Sequence, residues 1–277
     1  MNPLHFTRRS QYSQKTNFKK LLKNLGPSVF IGVVLVYLFA PVGVTVLFSF
    51  TQSPRLSLPI QGFTLEWYAR AYENPLFVDA MRNTLILAGV SATTAVLIGT
   101  SFAFGMTALK GHKRNVAVMV SLLPAAIPAL VLGIAMATFF SAIGHQQGLI
   151  NAGIGHALVS LPFVILTMNA RLETFDFTTL EAARDLGANP LRTFKDITLP
   201  LIRSALIGSG LLAVAISFDE FIVTWFSIGN QMTIPVLIWG LLRRGIDPSI
   251  NALASLVLFS LIVIVGISSR LNHRMGL

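Results

Sequence analysis

Few residues in this sequence have the chemistry to act on anything. Asp219 and Glu220 are the only acidic pair within an apolar stretch. A carboxylate among apolar side chains is costly, so it faces a cavity, a cation or a hydrogen-bond partner. One reading is an acidic lining that favours a cationic solute, with Trp225 further along the same stretch. The other readings are an ion pair with Arg243 or Arg244, or a hydrogen bond between helices. His145 and His156 lie 11 positions apart with no companion at metal-binding spacing, and both read as structural. There is no Cys, which excludes disulfides and thiolate metal sites. The sequence has no Ser–His–Asp order, no catalytic carboxylate pair and no G-x-x-x-x-G-K-[ST] phosphate loop. The chain therefore reads as a non-enzyme that binds no cofactor itself.

Composition states what must position these groups. Of 277 residues, 53% are hydrophobic and 12% charged. Soluble domains carry about 25% charged residues, so there is too little charge here to cover a soluble surface. The same balance excludes disorder, which needs low hydrophobicity and high charge. What remains is an integral membrane protein. A hydrocarbon core of about 30 Å takes roughly 20 apolar helical residues. Six segments satisfy that: 28–50, 83–109, 115–143, 149–170, 201–228 and 249–269. The first apolar run, 29–50, is longer than a signal-peptide core of about 7–15 residues and reads as a retained helix. Pro41, Pro124 and Pro128 fall inside these segments, where proline kinks a helix.

The net charge of +10 is a topology signal. One side of a six-helix arrangement receives Arg8, Arg9, Lys15, Lys19, Lys20, Lys23, Lys110, Lys113, Arg114, Arg171, Arg184, Arg192, Lys195, Arg203, Arg270 and Arg274. The other receives Arg55, Arg70, Arg82, Arg243 and Arg244. Both termini are expected in the cytoplasm, and the excess charge is no sign of a nucleic-acid partner. The outer connection, 51–82, contains Leu65, Trp67, Tyr68, Tyr72, Leu76 and Phe77. It reads either as an interfacial helix or as plain packing against the bundle.

The inner connection, 171–200, reads as two short helices. Thr178 with Glu181 fits a capping box. Ala182, Ala183 and Leu186 make a small apolar face, and Gly187 suits a left-handed stop. Asn189 and Pro190 suit the start of a second helix. Leu191, Phe194 and Ile197 form a second stripe, and Leu199-Pro200 leads into the fifth membrane helix. Such a helix–turn–helix is either an ordinary loop on the membrane or a docking element for a soluble partner.

The spacing of Glu181-Ala182-Ala183, Gly187, Ile197 and Leu199-Pro200 resembles the EAA loop of permease subunits of binding-protein-dependent ABC importers. The likeness runs over residues 60–270. It implies an all-α integral membrane fold of the type I importer permease kind, with six membrane helices. It also implies a coupling helix seated on an ATP-binding cassette ATPase dimer, with Glu181, Ala182, Ala183, Leu186, Gly187, Ile197, Leu199 and Pro200 at the contact. ATP with Mg would then be bound on that partner. Further partners implied are a second related permease subunit, a periplasmic or extracellular solute-binding protein and membrane lipid, in the inner membrane of a bacterium.

Ser217-Phe218-Asp219-Glu220-Phe221, Val223-Thr224, Ile234-Pro235, Leu242-Arg243, Gly245, Pro248 and Ile250-Asn251-Ala252 narrow the likeness. So do Trp67-Tyr68, Asn74, Phe77, Ala80 and Asn83. Together these resemble the second permease of spermidine/putrescine-type importers. That subfamily implies a polyamine passing Asp219, Glu220 and Trp225. Other small solutes, amino-acid-like or quaternary amines, are alternatives. An ion-gradient-driven transporter is a further one, although no inverted repeat is evident. The expected organisation is a basic tail at 1–27, a first helix at 28–50 and an outer loop at 51–82. A core at 83–270 includes the coupling loop 171–200, and a tail follows at 271–277.

Overall fold

The computed structural model describes the backbone of residues 4–274 except 55–56, 244 and 246–247. It describes side chains over 26–267 and at 270, with the same exceptions. The described backbone is helical apart from turns and one isolated bridge between Thr51 and Phe63. Among the described residues the α-helices are, in order, α1 Leu4–Phe48, α2 Glu66–Glu73, α3 Pro75–Thr107, α4 Gly111–Ala126, α5 Ala129–Ala142, α6 Leu149–Glu173, α7 Thr178–Asp185, α8 Pro190–Thr193, α9 Leu199–Asp219, α10 Ile222–Ser227, α11 Ile234–Leu242 and α12 Pro248–Arg274. A π-turn, Phe194–Thr198, joins α8 to α9.

Among the described residues, five helices are long and apolar enough to cross a membrane, or six if a bent pair is one span. That pair is α4 and α5, which meet at 91°. The single helix expected over 115–143 is thus broken. Pro128 is the cause: the residue before a proline is driven out of the helical region, and Ile127 has ψ 126°. Pro124 stays inside α4.

The helix expected over 201–228 is also divided. It stops at Asp219, turns through the extended Glu220 (ψ 100°), and resumes as α10. At its other end Leu199 and Pro200 lie inside a continuous helical run from Pro190, which replaces the expected lead-in. The second membrane helix begins at Pro75, capped by Asn74, whose Oδ1 accepts the Leu76 amide. Helix α1 starts well before 28, so the expected basic tail is helical from Leu4 onwards.

Helices α3, α6 and α9 pack against one another and form the core, built around Ala95, Ala103, Val164, Met168, Ile202 and Ala213. Lipid removes the hydrophobic drive between membrane helices, so close approach must come from small residues. Gly99 shows this: a Cβ there would lie 2.8 Å from Val164 Cγ1. The outer helix α2 packs on α3 and α12, burying Trp67 and Ala71. Trp67 Nε1 donates to the Thr51 carbonyl at 2.7 Å, while Leu65 and Tyr72 stay exposed. The segment is thus a short helix with one face packed on the bundle and one face outward. By contrast α1 buries no residue between Gly26 and Phe48.

Candidate functional site

Two regions at opposite ends of α9 contain the residues singled out by sequence. At about 1.5 Å per residue its 21 residues span roughly 31 Å, one hydrocarbon thickness. The segment 174–200 and the pair Asp219–Glu220 are therefore separated by about the depth of a bilayer.

The first region is the helical hairpin of α7 and α8. Its start differs from the expected capping box. The Thr178 amide and hydroxyl both donate to Asp176 Oδ1, at 3.0 and 2.7 Å, so Asp176 supplies the cap and Glu181 is left free of that role. These bonds hold the Asp176 carboxyl below the usual carboxylate range. The turn is as expected. Gly187 has φ +81°, and its amide donates to Arg184 O at 2.9 Å. Asn189 Oδ1 accepts the Arg192 amide at 2.8 Å, with Pro190 in the first helical position. The π-turn is marked by the Leu199 amide donating to Phe194 O, five residues back.

The hairpin encloses a groove of about 390 Å³. It brings together Ala183, Leu186, Gly187 and Ile197 of the predicted contact set, with Thr193 as a further wall and Arg192 and Asp196 at its side. Arg192 and Asp196 form an exposed ion pair at 3.4 Å. Ala183 is buried, whereas Leu186 is 89% exposed, an unusual exposure for a leucine at a helix end. Glu181 and Ala182 lie exposed on α7 outside the groove, and Leu199 and Pro200 open α9.

The second region is the break between α9 and α10. The structure separates the two acids. Asp219 is exposed, while Glu220 is half-buried and its Oε1 accepts the Val223 amide at 2.9 Å. Glu220 thus caps the restarted helix and does not simply line an opening. Among the described residues neither carboxylate forms an ion pair. Arg243 sits over the Trp239 ring, 5.5 Å from its centroid, and Arg244 lies outside the described residues.

Trp225, predicted from sequence, is 47% exposed and belongs to an aromatic group that sequence reasoning missed. Phe221 stands 5.8 Å from Trp225 and 5.5 Å from Trp239, between ring centroids. Phe221 lies at the α9–α10 break and Trp225 four residues on in α10, and the fold brings Trp239 of α11 to them. His145 is exposed against Phe140. His156 is buried, with both ring nitrogens at 2.7 Å from hydroxyls, Nδ1 to Ser217 and Nε2 to Thr224.

Known proteins resemble this chain in sequence and in fold. The family described as "Binding-protein-dependent transport system inner membrane component" matches residues 95–276. The spermidine/putrescine transport system permease protein PotC of Escherichia coli K12 is 32% identical over 246 residues, covering 88% of this chain and 92% of that protein. The putrescine transport system permease protein PotI of the same strain is 31% identical over 231 residues, covering 80% and 82%. Among solved structures, a bacterial ABC transporter involved in import of the acidic polysaccharide alginate superposes with a TM-score of 0.69. It shares 17% identity and covers 91% of this chain and 97% of that chain. The MetNI methionine ABC transporter, inward facing, gives 0.63 at 16% identity, covering 73% and 97%. Likeness at such low identity speaks for the fold alone.

Proposed function

The chain belongs to the inner membrane components of binding-protein-dependent transport systems, and on that premise we propose that it forms part of a polyamine translocation path. It is a multi-pass permease subunit of a bacterial inner membrane, without catalytic chemistry of its own. Its family works with a solute-binding protein and an ATP-hydrolysing subunit.

The observation that carries the polyamine reading is Asp219, exposed and without an ion-pair partner among the described residues, two residues from Phe221 and its tryptophans. A carboxylate attracts an ammonium group by charge, and aromatic faces add cation–π attraction. A spaced di- or polycation can meet both at once. The named relatives, spermidine/putrescine and putrescine permeases, support the same class.

The groove of α7 and α8 takes an ATPase subunit, whose bound ATP and Mg supply the energy. Glu181, Ala182, Ala183, Leu186, Gly187, Ile197, Leu199 and Pro200 face or flank that contact. Movement there reaches Asp219 through the continuous helical run that starts at Pro190. A second, related permease completes the path, and both termini lie on the ATPase side, as the distribution of Lys and Arg supports.

The test is transport by the reconstituted complex. Asp219→Asn with Glu220→Gln is expected to lower uptake of labelled putrescine or spermidine at saturating binding protein. Unchanged uptake would contradict the acidic path. A reporter fused after Pro190 is expected to report cytoplasm, and a periplasmic signal would contradict the topology.

A further inference from the structure

His156 is 1% exposed and reaches two elements far along the chain. Its Nδ1 lies 2.7 Å from Ser217 Oγ in α9, and its Nε2 lies 2.7 Å from Thr224 Oγ1 in α10. The Thr224 hydroxyl also donates to the carbonyl of Glu220 at 2.6 Å. That hydrogen is thereby committed, so Nε2–H donates to Thr224 and Nδ1 accepts from Ser217. One tautomer satisfies every group in the chain Ser217–His156–Thr224–Glu220.

The bridge also constrains shape. Ser217 and Thr224 are seven residues apart, and in an unbroken helix they would be separated by about 10.5 Å along the axis. Two bonds of 2.7 Å plus the width of an imidazole reach about 7.5 Å. A break between them shortens that span and brings both hydroxyls within reach of one imidazole. The break lies there, at Glu220. No proline or glycine occupies 217–224, so nothing in the local backbone chemistry requires a break at that point. A break inside a membrane exposes backbone carbonyls that need partners, and Thr224 supplies one for Glu220.

We infer that His156 is a positioning residue of the translocation path: by clamping Ser217 and Thr224 it holds the α9–α10 break, which turns Asp219 outward and sets Phe221 against Trp225 and Trp239. This rests on the reading of Asp219 as part of the path. His156 touches no solute and acts through the geometry of the break.

The experiment uses the full transporter in proteoliposomes, with labelled putrescine as probe. Asp219→Asn is introduced into the natural chain and into chains carrying His156→Leu or Ser217→Ala. Each of the latter two is expected to cut the initial uptake rate about tenfold, as loss of a buried hydrogen-bond partner does. The further loss caused by Asp219→Asn is expected to shrink to under about twofold in their presence, because coupled residues do not add. His156→Gln, which restores one bond, recovers part of the rate. Ser217→Ala removes one hydroxyl and little packing, so it decides the question if His156→Leu fails to assemble. An Asp219→Asn loss of the same size in all backgrounds overturns the positioning role and leaves the path reading standing. An Asp219→Asn chain that imports normally overturns both.

Discussion

Arg171 donates from Nε and Nη2 to the carbonyl oxygen of Leu201, at 3.1 and 2.6 Å. The two residues stand on either side of the α7–α8 hairpin. This contact closes the 30-residue excursion and ties the end of α6 to the first turn of α9. A push on α7 or α8 therefore has a short mechanical route into the membrane core. Arg114 braces the same end, donating to Glu173 at 2.7 Å.

Removing the tie should loosen that route without unfolding the bundle. Arg171→Ala is expected to lower ATP-driven uptake about fivefold, equivalent to about 1 kcal/mol for a partly exposed charged hydrogen bond. Arg171→Lys should keep part of it. Co-purification of the ATPase should be unchanged in both, which separates transmission from docking.

Gly187 distinguishes a turn from a contact. Its φ of +81° suits glycine and is tolerated by asparagine. A Cβ there would meet no atom within 4 Å, so the isolated chain has room for a side chain. Gly187→Asn is thus expected to insert and fold normally. If the hairpin seats in a partner, Gly187→Asn and Gly187→Asp both lose ATPase co-purification and uptake. Retention of both by Gly187→Asn would reduce Gly187 to a turn former.

Gly155 tests the packing that supports the break. A Cβ there would fall 2.5 Å from Val223 Cγ1 and 3.2 Å from Met136 Sδ. Gly155→Leu should overpack α6 against α10 and α5, costing about 2 kcal/mol and lowering the melting temperature in detergent. Gly153 is the control on the same helix, since its Cβ would meet nothing nearer than Leu87 Cδ2 at 3.6 Å. Gly153→Ala should melt within about a degree of the natural chain.

What the sequence disclosed follows from how local the cause was. Gly187, Asn189 and Pro190 were legible because their backbone preferences act within a turn. The 91° bend was half legible: Pro124 and Pro128 marked a kink, but only Pro128, through Ile127, made a break. The capping box failed because Asp176, two residues earlier, competes for the same amide more directly than Glu181. The break at Glu220 carries no proline or glycine to mark it, and the clamp across it comes from His156, 61 positions before Ser217. The division of labour between Asp219 and Glu220 was hidden for the same reason. Adjacent acids read alike in sequence, whereas one caps α10 and the other is left exposed.

Trp225 offers a check that is independent of charge. If its face assists an ammonium group, Trp225→Phe should retain most of the uptake rate. Trp225→Leu should lose about fivefold, a cation–π contribution of about 1 kcal/mol. The loss should appear in uptake at saturating binding protein, with the ATPase still bound. Equal uptake by the Phe and Leu variants would remove the aromatic group from the path.

The central claim is that this permease carries a polyamine past Asp219 under the drive of a partner docked at the α7–α8 hairpin. The most direct measurement is uptake of labelled putrescine and spermidine into proteoliposomes holding the assembled transporter and its binding protein. Natural Asp219–Glu220 is compared with Asp219→Asn/Glu220→Gln, with and without ATP. The account predicts ATP-dependent uptake of at least one polyamine and a loss of about tenfold in the doubly neutralised chain, about 1.4 kcal/mol of barrier. Absence of ATP-dependent polyamine uptake, or equal rates for the two chains, would contradict it.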